Sequence, residues 1–237
     1  MSNPSFLKFK SPDALSDVVA QTLAFILGKS ISENGHASLL LSGGSTPRGA
    51  YERLGQAALN WEHVHIGLVD DRWVDETDPG SNAAMIKSTL LKGRAINADF
   101  HPLTTEHKDL EAGCLLSNYT YADLIQPYSI AVLGMGPDGH TASWFPDALG
   151  LSEALDPNSD KIVVPVRPKQ SKVTGDYLER ATLTLAALSK AKTVLLLITG
   201  PVKRRVYQDA LNDPSSDLPI RKAIDAFGDR LTVYWAP

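Results

Sequence analysis

The hydrophobic pattern along the chain alternates between two kinds of segment. Short apolar runs rich in β-branched and aliphatic residues cover positions 38–42, 63–70, 129–134, 161–166, 193–199 and 231–235. Between them lie longer segments with helical spacing, at 13–30, 47–59, 82–91, 108–124, 202–211 and 220–227. In the first of these, Leu15, Val18, Val19, Thr22, Leu23 and Ile26 form one apolar stripe at i, i+3, i+4 spacings. Leu39-Leu40-Leu41 and the run from Val194 to Ile198 are continuously apolar, as strands covered on both faces are. Strand–helix alternation of this kind predicts an α/β fold, a three-layer open, mainly parallel sheet with helices on both faces. One domain is expected over residues 1–237. In such sheets ligands bind beyond the carboxyl ends of the strands, so the residues just after each strand are the informative ones. The stretch 165–176 is expected to be a long loop bordering the site.

Four strand ends carry unusual chemistry. After the first strand comes Ser42-Gly43-Gly44-Ser45-Thr46-Pro47-Arg48. The glycines permit a tight turn and close approach of a ligand to the backbone. Ser45 or Thr46 is expected to cap the following helix, with Pro47 as its first residue. Free N–H groups and the positive end of the helix dipole then make a phosphate site, the alternative being an ordinary capped turn. A P-loop is excluded, because the turn contains no G-x-x-x-x-G-K-[ST]. The second end reads Asp70-Asp71-Arg72-Trp73-Val74. Arg72 there suits an anion or developing negative charge, the alternative being a structural Asp–Arg pair. His63 and His65 are expected to share a strand face, without the further ligands that a metal site needs.

The third end, Gly134-Met135-Gly136-Pro137-Asp138-Gly139-His140, satisfies G-x-G-x-x-G. A dinucleotide site is nevertheless rejected, because Pro146 arrives too soon for the required helix and no acid-ended strand follows. His140, held by glycine-rich backbone with Asp138 two residues away, reads instead as a general base, the alternative being an exposed loop histidine. Two cations complete the set. Arg180 opens Arg180-Ala181-Thr182-Leu183-Thr184, and Lys203 lies in the first turn of a helix, where the dipole disfavours a cation unless an anion is bound. Arg204 and Arg205 are expected on a solvated face.

Composition removes several function classes. Lys and Arg number 23 against 27 Asp and Glu, a net charge of −4 without charge blocks, which argues against nucleic acid and anionic membranes as partners. The longest unbroken aliphatic run, Val194 to Ile198, is far shorter than a bilayer span, and the first residues lack a signal-peptide pattern. The single cysteine, Cys114, forms neither an intramolecular disulfide nor a thiolate zinc cluster. A cytoplasmic, metal-independent protein is expected, a monomer or weak homodimer.

Taken together, Ser42 to Pro47, Asp70 to Val74 with Ser81-Asn82, Gly134 to Ser143 with Phe145-Pro146, Arg180 to Thr184, and Gly200 with Lys203 resemble the 6-phosphogluconolactonase family. The resemblance spans most of the chain. It implies cofactor-free hydrolysis of 6-phospho-D-glucono-1,5-lactone to 6-phosphogluconate in the oxidative pentose phosphate pathway. Gly43, Gly44, Ser45 and Thr46, with Arg180 and Lys203, would hold the phosphate, and Asp70 would also face the substrate. His140 would activate water, Asp138 would orient His140 or the substrate hydroxyls, and Arg72 would meet charge on the carbonyl oxygen. No G-x-S-x-G elbow is present, so water rather than a serine is the expected nucleophile. The sequence departs from the family at Asp70-Asp71, where Asp-Glu is commoner, and at 168–176, where a proline-rich run is usual. Two alternatives stand beside this reading. A glucosamine-6-phosphate deaminase or isomerase would carry a glutamate after the histidine, and Thr141 to Pro146 has none. A non-enzymatic sugar-phosphate sensor would need a DNA-binding segment, and no basic stripe supplies one.

Overall fold

The computed structural model describes residues 4–106, 108–124 and 126–237. In chain order its elements are β1 (Ser5–Lys8), α1 (Pro12–Asn34), β2 (Ala37–Leu41), α2 (Ser45–Leu54), β3 (Val64–Leu68), β4 (Asp70–Arg72), α3 (Asn82–Thr89), β5 (Asp99–His101) and α4 (Leu110–Ala122). There follow β6 (Ile130–Gly134), α5 (Leu151–Ala154), β7 (Val163–Val166), β8 (Arg180–Leu183), α6 (Leu185–Leu188), β9 (Val194–Thr199), α7 (Pro201–Asn212), α8 (Pro219–Phe227) and β10 (Leu231–Ala236). Seven strands form a wholly parallel sheet in the order β1-β10-β9-β6-β2-β3-β5, with helices on both faces. This is the expected three-layer α/β architecture.

The core lies along the middle of that sheet. Leu39, Leu40 and Leu41 of β2, Ile130 to Leu133 of β6 and Val194 to Ile198 of β9 are essentially inaccessible, which explains their unbroken apolar runs. Helix α1 begins where the Ser11 side chain accepts the Ala14 N–H at 3.1 Å, with Pro12 at the first position. It ends at Gly35, whose φ of +81° suits a residue without Cβ. By length and composition α1 is apolar enough to cross a membrane; in this fold it buries Leu15, Val19, Leu23 and Leu27 against α2 and the sheet.

The structure corrects three expectations. The run 63–70 is not one strand. His63 lies in a short 3-10 turn, β3 stops at Leu68, and the chain then enters a second, antiparallel sheet ordered β4-β8-β7. Val69 makes the switch: its N–H donates to Leu41 O (2.9 Å) in the large sheet, while its carbonyl accepts from Leu183 N (2.8 Å) in the small one. The run 161–166, expected in the parallel sheet, supplies β7 of the small sheet, so the long loop runs over 167–179. Finally, β1 and β5 were not anticipated. Both are short edge strands, and their partly exposed residues carry little apolar signal.

Candidate functional site

The carboxyl ends of β2, β6 and β9, together with the small sheet, enclose a cleft of roughly 250 Å³. Gly43, Gly44, Ser45, Thr46, Asp70, Arg72, His140, Arg180 and Lys203 all line it, brought together from across the chain. Asp138 is not on the cleft wall and stands behind His140.

At one end lie two helix heads. The cap of α2 is Gly44, at φ +97°, with no side-chain hydrogen bond, so the helix begins at Ser45 and Pro47 is its third residue. The expected Ser or Thr cap is therefore absent. Glycine turns the chain into the helix two residues early, leaving the backbone donors at its head without a side-chain partner. The head of α7 is built alike, with Gly200 at φ +84° and again no side-chain cap. Thr46 Oγ1 and Thr199 Oγ1 lie 3.4 Å apart, joining the two heads. Lys203 sits in the first turn of α7, where burial pulls its pKa down and the Asp138 charge opposes that fall. Arg204, expected on a solvated face, instead lies over the Trp235 ring at 4.8 Å.

The small sheet supplies the arginines. Its register sets Arg72 directly opposite Arg180, and like charges facing each other across a strand pair repel. Arg180 is only 3% exposed, donates through Nε to Tyr177 O (3.0 Å) and through Nη2 to Thr174 O (3.2 Å), and lies 4.8 Å from the Phe145 ring. Burial lowers its pKa to about 10, against the pull of Asp70. Among the described residues, neither Arg72, Arg180 nor Lys203 forms an ion pair. Arg180 is buried and Arg72 and Lys203 are half-buried, and cations so placed without a carboxylate partner can accept an anion.

Arg72 is fixed through Asn82, a residue that sequence reasoning passed over as part of the site. Asp71, fully buried, accepts from the N–H groups of Asn82 (2.6 Å) and Ala83 (2.9 Å) at the head of α3 and from Arg72 N (2.8 Å). Burial pushes the Asp71 carboxyl up to about 6; its backbone hydrogen bonds oppose the rise and the Asp70 charge adds to it. Asn82 in turn donates to Asp70 O (2.8 Å) and accepts from Arg72 Nη1 (2.6 Å), which also donates to Gly80 O (3.0 Å). A Cβ at Gly43 would lie 1.8 Å from Asn82 Oδ1, so position 43 must be glycine for the turn to approach this residue. The Asp–Arg cluster is thus a relay of backbone and amide contacts rather than a direct ion pair. Arg72 Nε and Ser42 Oγ remain buried without a hydrogen-bond partner among the described residues.

The third strand end carries His140. Its Nδ1 lies 2.6 Å from Asp138 Oδ1, and a carboxylate only accepts, so Nδ1 carries a proton; in the neutral ring this tautomer leaves the lone pair on Nε2. Burial raises the Asp138 carboxyl, but the hydrogen bond and charge of His140 outweigh it and hold it below its ordinary value. The ring packs on Phe145 with centroids 4.0 Å apart. A Cβ at Gly136 would lie 2.2 Å from His140 Nδ1 and 2.5 Å from Asp138 Oδ1. The middle glycine of the G-x-G-x-x-G pattern, Gly136, therefore makes room for a side-chain pair, and no long helix starts within the motif. The following loop is tied down by Gly136 N to His140 O (2.9 Å), Thr141 Oγ1 to Gly134 O (2.8 Å) and Ser143 Oγ to Asp70 Oδ2 (2.6 Å). Between them Ala142 is held at φ +48°, a conformation costing about 1 kcal/mol or more outside glycine.

Comparison with known proteins identifies the family. The family model described as glucosamine-6-phosphate isomerases/6-phosphogluconolactonase matches residues 10–234. A 6-phosphogluconolactonase of Mesorhizobium japonicum is 38% identical over 229 residues, covering 97% of this chain and 94% of that protein. One from Xylella fastidiosa is 38% identical over 232 residues, covering 98% and 95%. The crystal structure of a 6-phosphogluconolactonase from Shewanella baltica matches with a TM-score of 0.91 at 32% identity, covering 99% of this chain and 98% of that one. The chain belongs to the glucosamine-6-phosphate isomerase/6-phosphogluconolactonase family.

Proposed function

We infer that this chain is a hydrolase that opens 6-phospho-D-glucono-1,5-lactone to 6-phosphogluconate, the lactonase step of the oxidative pentose phosphate pathway. The observation that carries the reading is His140, bonded to Asp138 behind it, standing in the same cleft as three cations without an ion-pair partner among the described residues and two uncapped helix heads. The phosphate dianion meets the backbone donors of Ser45 and Thr46 together with Lys203 and Arg180. So anchored, the lactone carbonyl reaches His140. His140 Nε2 takes a proton as water oxygen bonds to the carbonyl carbon, and the resulting oxyanion is stabilised by Arg72. Collapse of the tetrahedral intermediate breaks the bond to the ring oxygen, which receives the proton back from His140. Asp138 holds the ring and its tautomer throughout, and Asp70, fixed by Ser143, faces the sugar hydroxyls.

The test is lactone loss followed by NMR on freshly generated 6-phosphogluconolactone, with the spontaneous opening recorded alongside. Acceleration well above that background is expected. A rate equal to background, or ammonia release from glucosamine 6-phosphate, would overturn the reading.

A further inference from the structure

A second cluster of metal-ligating side chains lies away from the cleft, on the unanticipated edge strand. His65 of β3 is the register partner of Asp99 of β5, and His101 lies two residues further on the same face. Asp99 Oδ2 is 2.9 Å from His65 Nδ1 and 2.8 Å from His101 Nε2. One donor atom from each residue falls within 4.8 Å of the others, and the two histidine side chains are a quarter or less exposed. We propose that His65, Asp99 and His101 bind a divalent first-row transition ion of the zinc class, completed by water. Two imidazoles and a carboxylate suit such ions, whereas magnesium and calcium prefer all-oxygen sets. A tetrahedral ion with bonds of about 2.0–2.1 Å separates its donors by about 3.3 Å. The ion takes the place of the two imidazole N–H protons now shared with Asp99: the two Asp99–imidazole separations spread by about half an ångström, and the two ring nitrogens, now within 4.8 Å of each other, settle at the same spacing. Its consequence is mechanical. The three-residue strand β5 is paired on one side only, and the ion would pin it to β3. None of the three residues lines the cleft, so lactone hydrolysis does not depend on the ion.

The experiment titrates tag-free, chelator-stripped full-length protein with cobalt(II), then zinc. One equivalent should bind, with visible d–d absorption that zinc displaces and a rise in Tm of roughly 5–10 °C at about 100-fold excess over Kd. The double variant His65→Ala, His101→Ala should lose affinity by roughly 100-fold or more while hydrolysing lactone at the parent rate. Asp99→Asn, which preserves side-chain shape, should weaken binding in the same direction and serves if the double variant does not fold. Absence of saturable binding, or equal affinity in the variants, would overturn the proposal and leave the cluster as a hydrogen-bond network alone.

Discussion

The two ends of the cleft are built on opposite principles. At the helix-head end the donors are unmet: Gly44 and Gly200 cap without side chains, and Lys203 has no ion-pair partner among the described residues. At the histidine end nearly every group is already bonded: Asp138 to His140, Ser143 to Asp70, Thr141 to Gly134, and Gly136 N to His140 O. In the function proposed above, the first end is completed by the substrate phosphate and provides affinity. The second is rigid before any ligand arrives, so it can place a base without reorganisation. On that proposal, unmet demand serves binding and prior order serves chemistry, at two ends of one cleft.

Four measurements break or sharpen this division. His140→Ala should lower kcat by about 10³-fold, within the range of general-base removal, with KM nearly unchanged; a comparable rise in KM would dissolve the distinction between the ends. Asp138→Asn keeps the shape of the pair but no longer fixes the tautomer, and should cost roughly 10–100-fold in kcat, again without effect on KM. At the opposite end, Lys203→Met should raise KM by about tenfold or more and leave kcat within about threefold, the signature of a contact made equally in ground and transition states. An equal fall in kcat would make Lys203 part of the chemistry.

The smallest effect concerns stability. The Asp71 carboxyl, raised from its ordinary 3.8 to about 6, keeps its proton in the folded state over a range where the unfolded chain has released it. Between about pH 4 and 6 the native state therefore binds more protons, and stability falls as pH rises through that window. Asp71→Asn removes this slope, so its Tm should gain a few degrees relative to the parent between pH 4 and 6. Parallel Tm curves would mean that the bonds from Asn82 and Ala83 outweigh burial and keep Asp71 ionised throughout.

Most of the large sheet and all of the long helices were legible because their periodicity is local: the stripe on α1 and the unbroken runs of β2 and β9 need no knowledge of partners. The break at Val69 was not, since it depends on which distant strand takes each backbone group, Leu41 on one side and Leu183 on the other. The same holds within the cleft. The proposed site residues stand at strand ends, where the fold class directs attention, and Asp138 lies directly behind them. Asn82 enters the sequence reading only as part of the motif and without a role, because that role arises from an approach to Gly43 across 39 positions, visible only as a side chain occupying the space a Cβ would need. The facing of Arg72 and Arg180 likewise belongs to a register between strands far apart in sequence.

The strand order has a consequence for synthesis. Strand β9 is inserted between β6 and β10, and among the described residues β1 pairs only with β10, the latest of the ten strands in chain order. Until residues up to 199 have emerged, the fully buried run from Ile130 to Leu133 is an open apolar edge, and the first strand has nothing to pair with until β10 follows. A chain halted after β8 would thus expose the most apolar edge of its sheet, the kind of surface that aggregates or recruits a chaperone, and would lack Lys203 altogether.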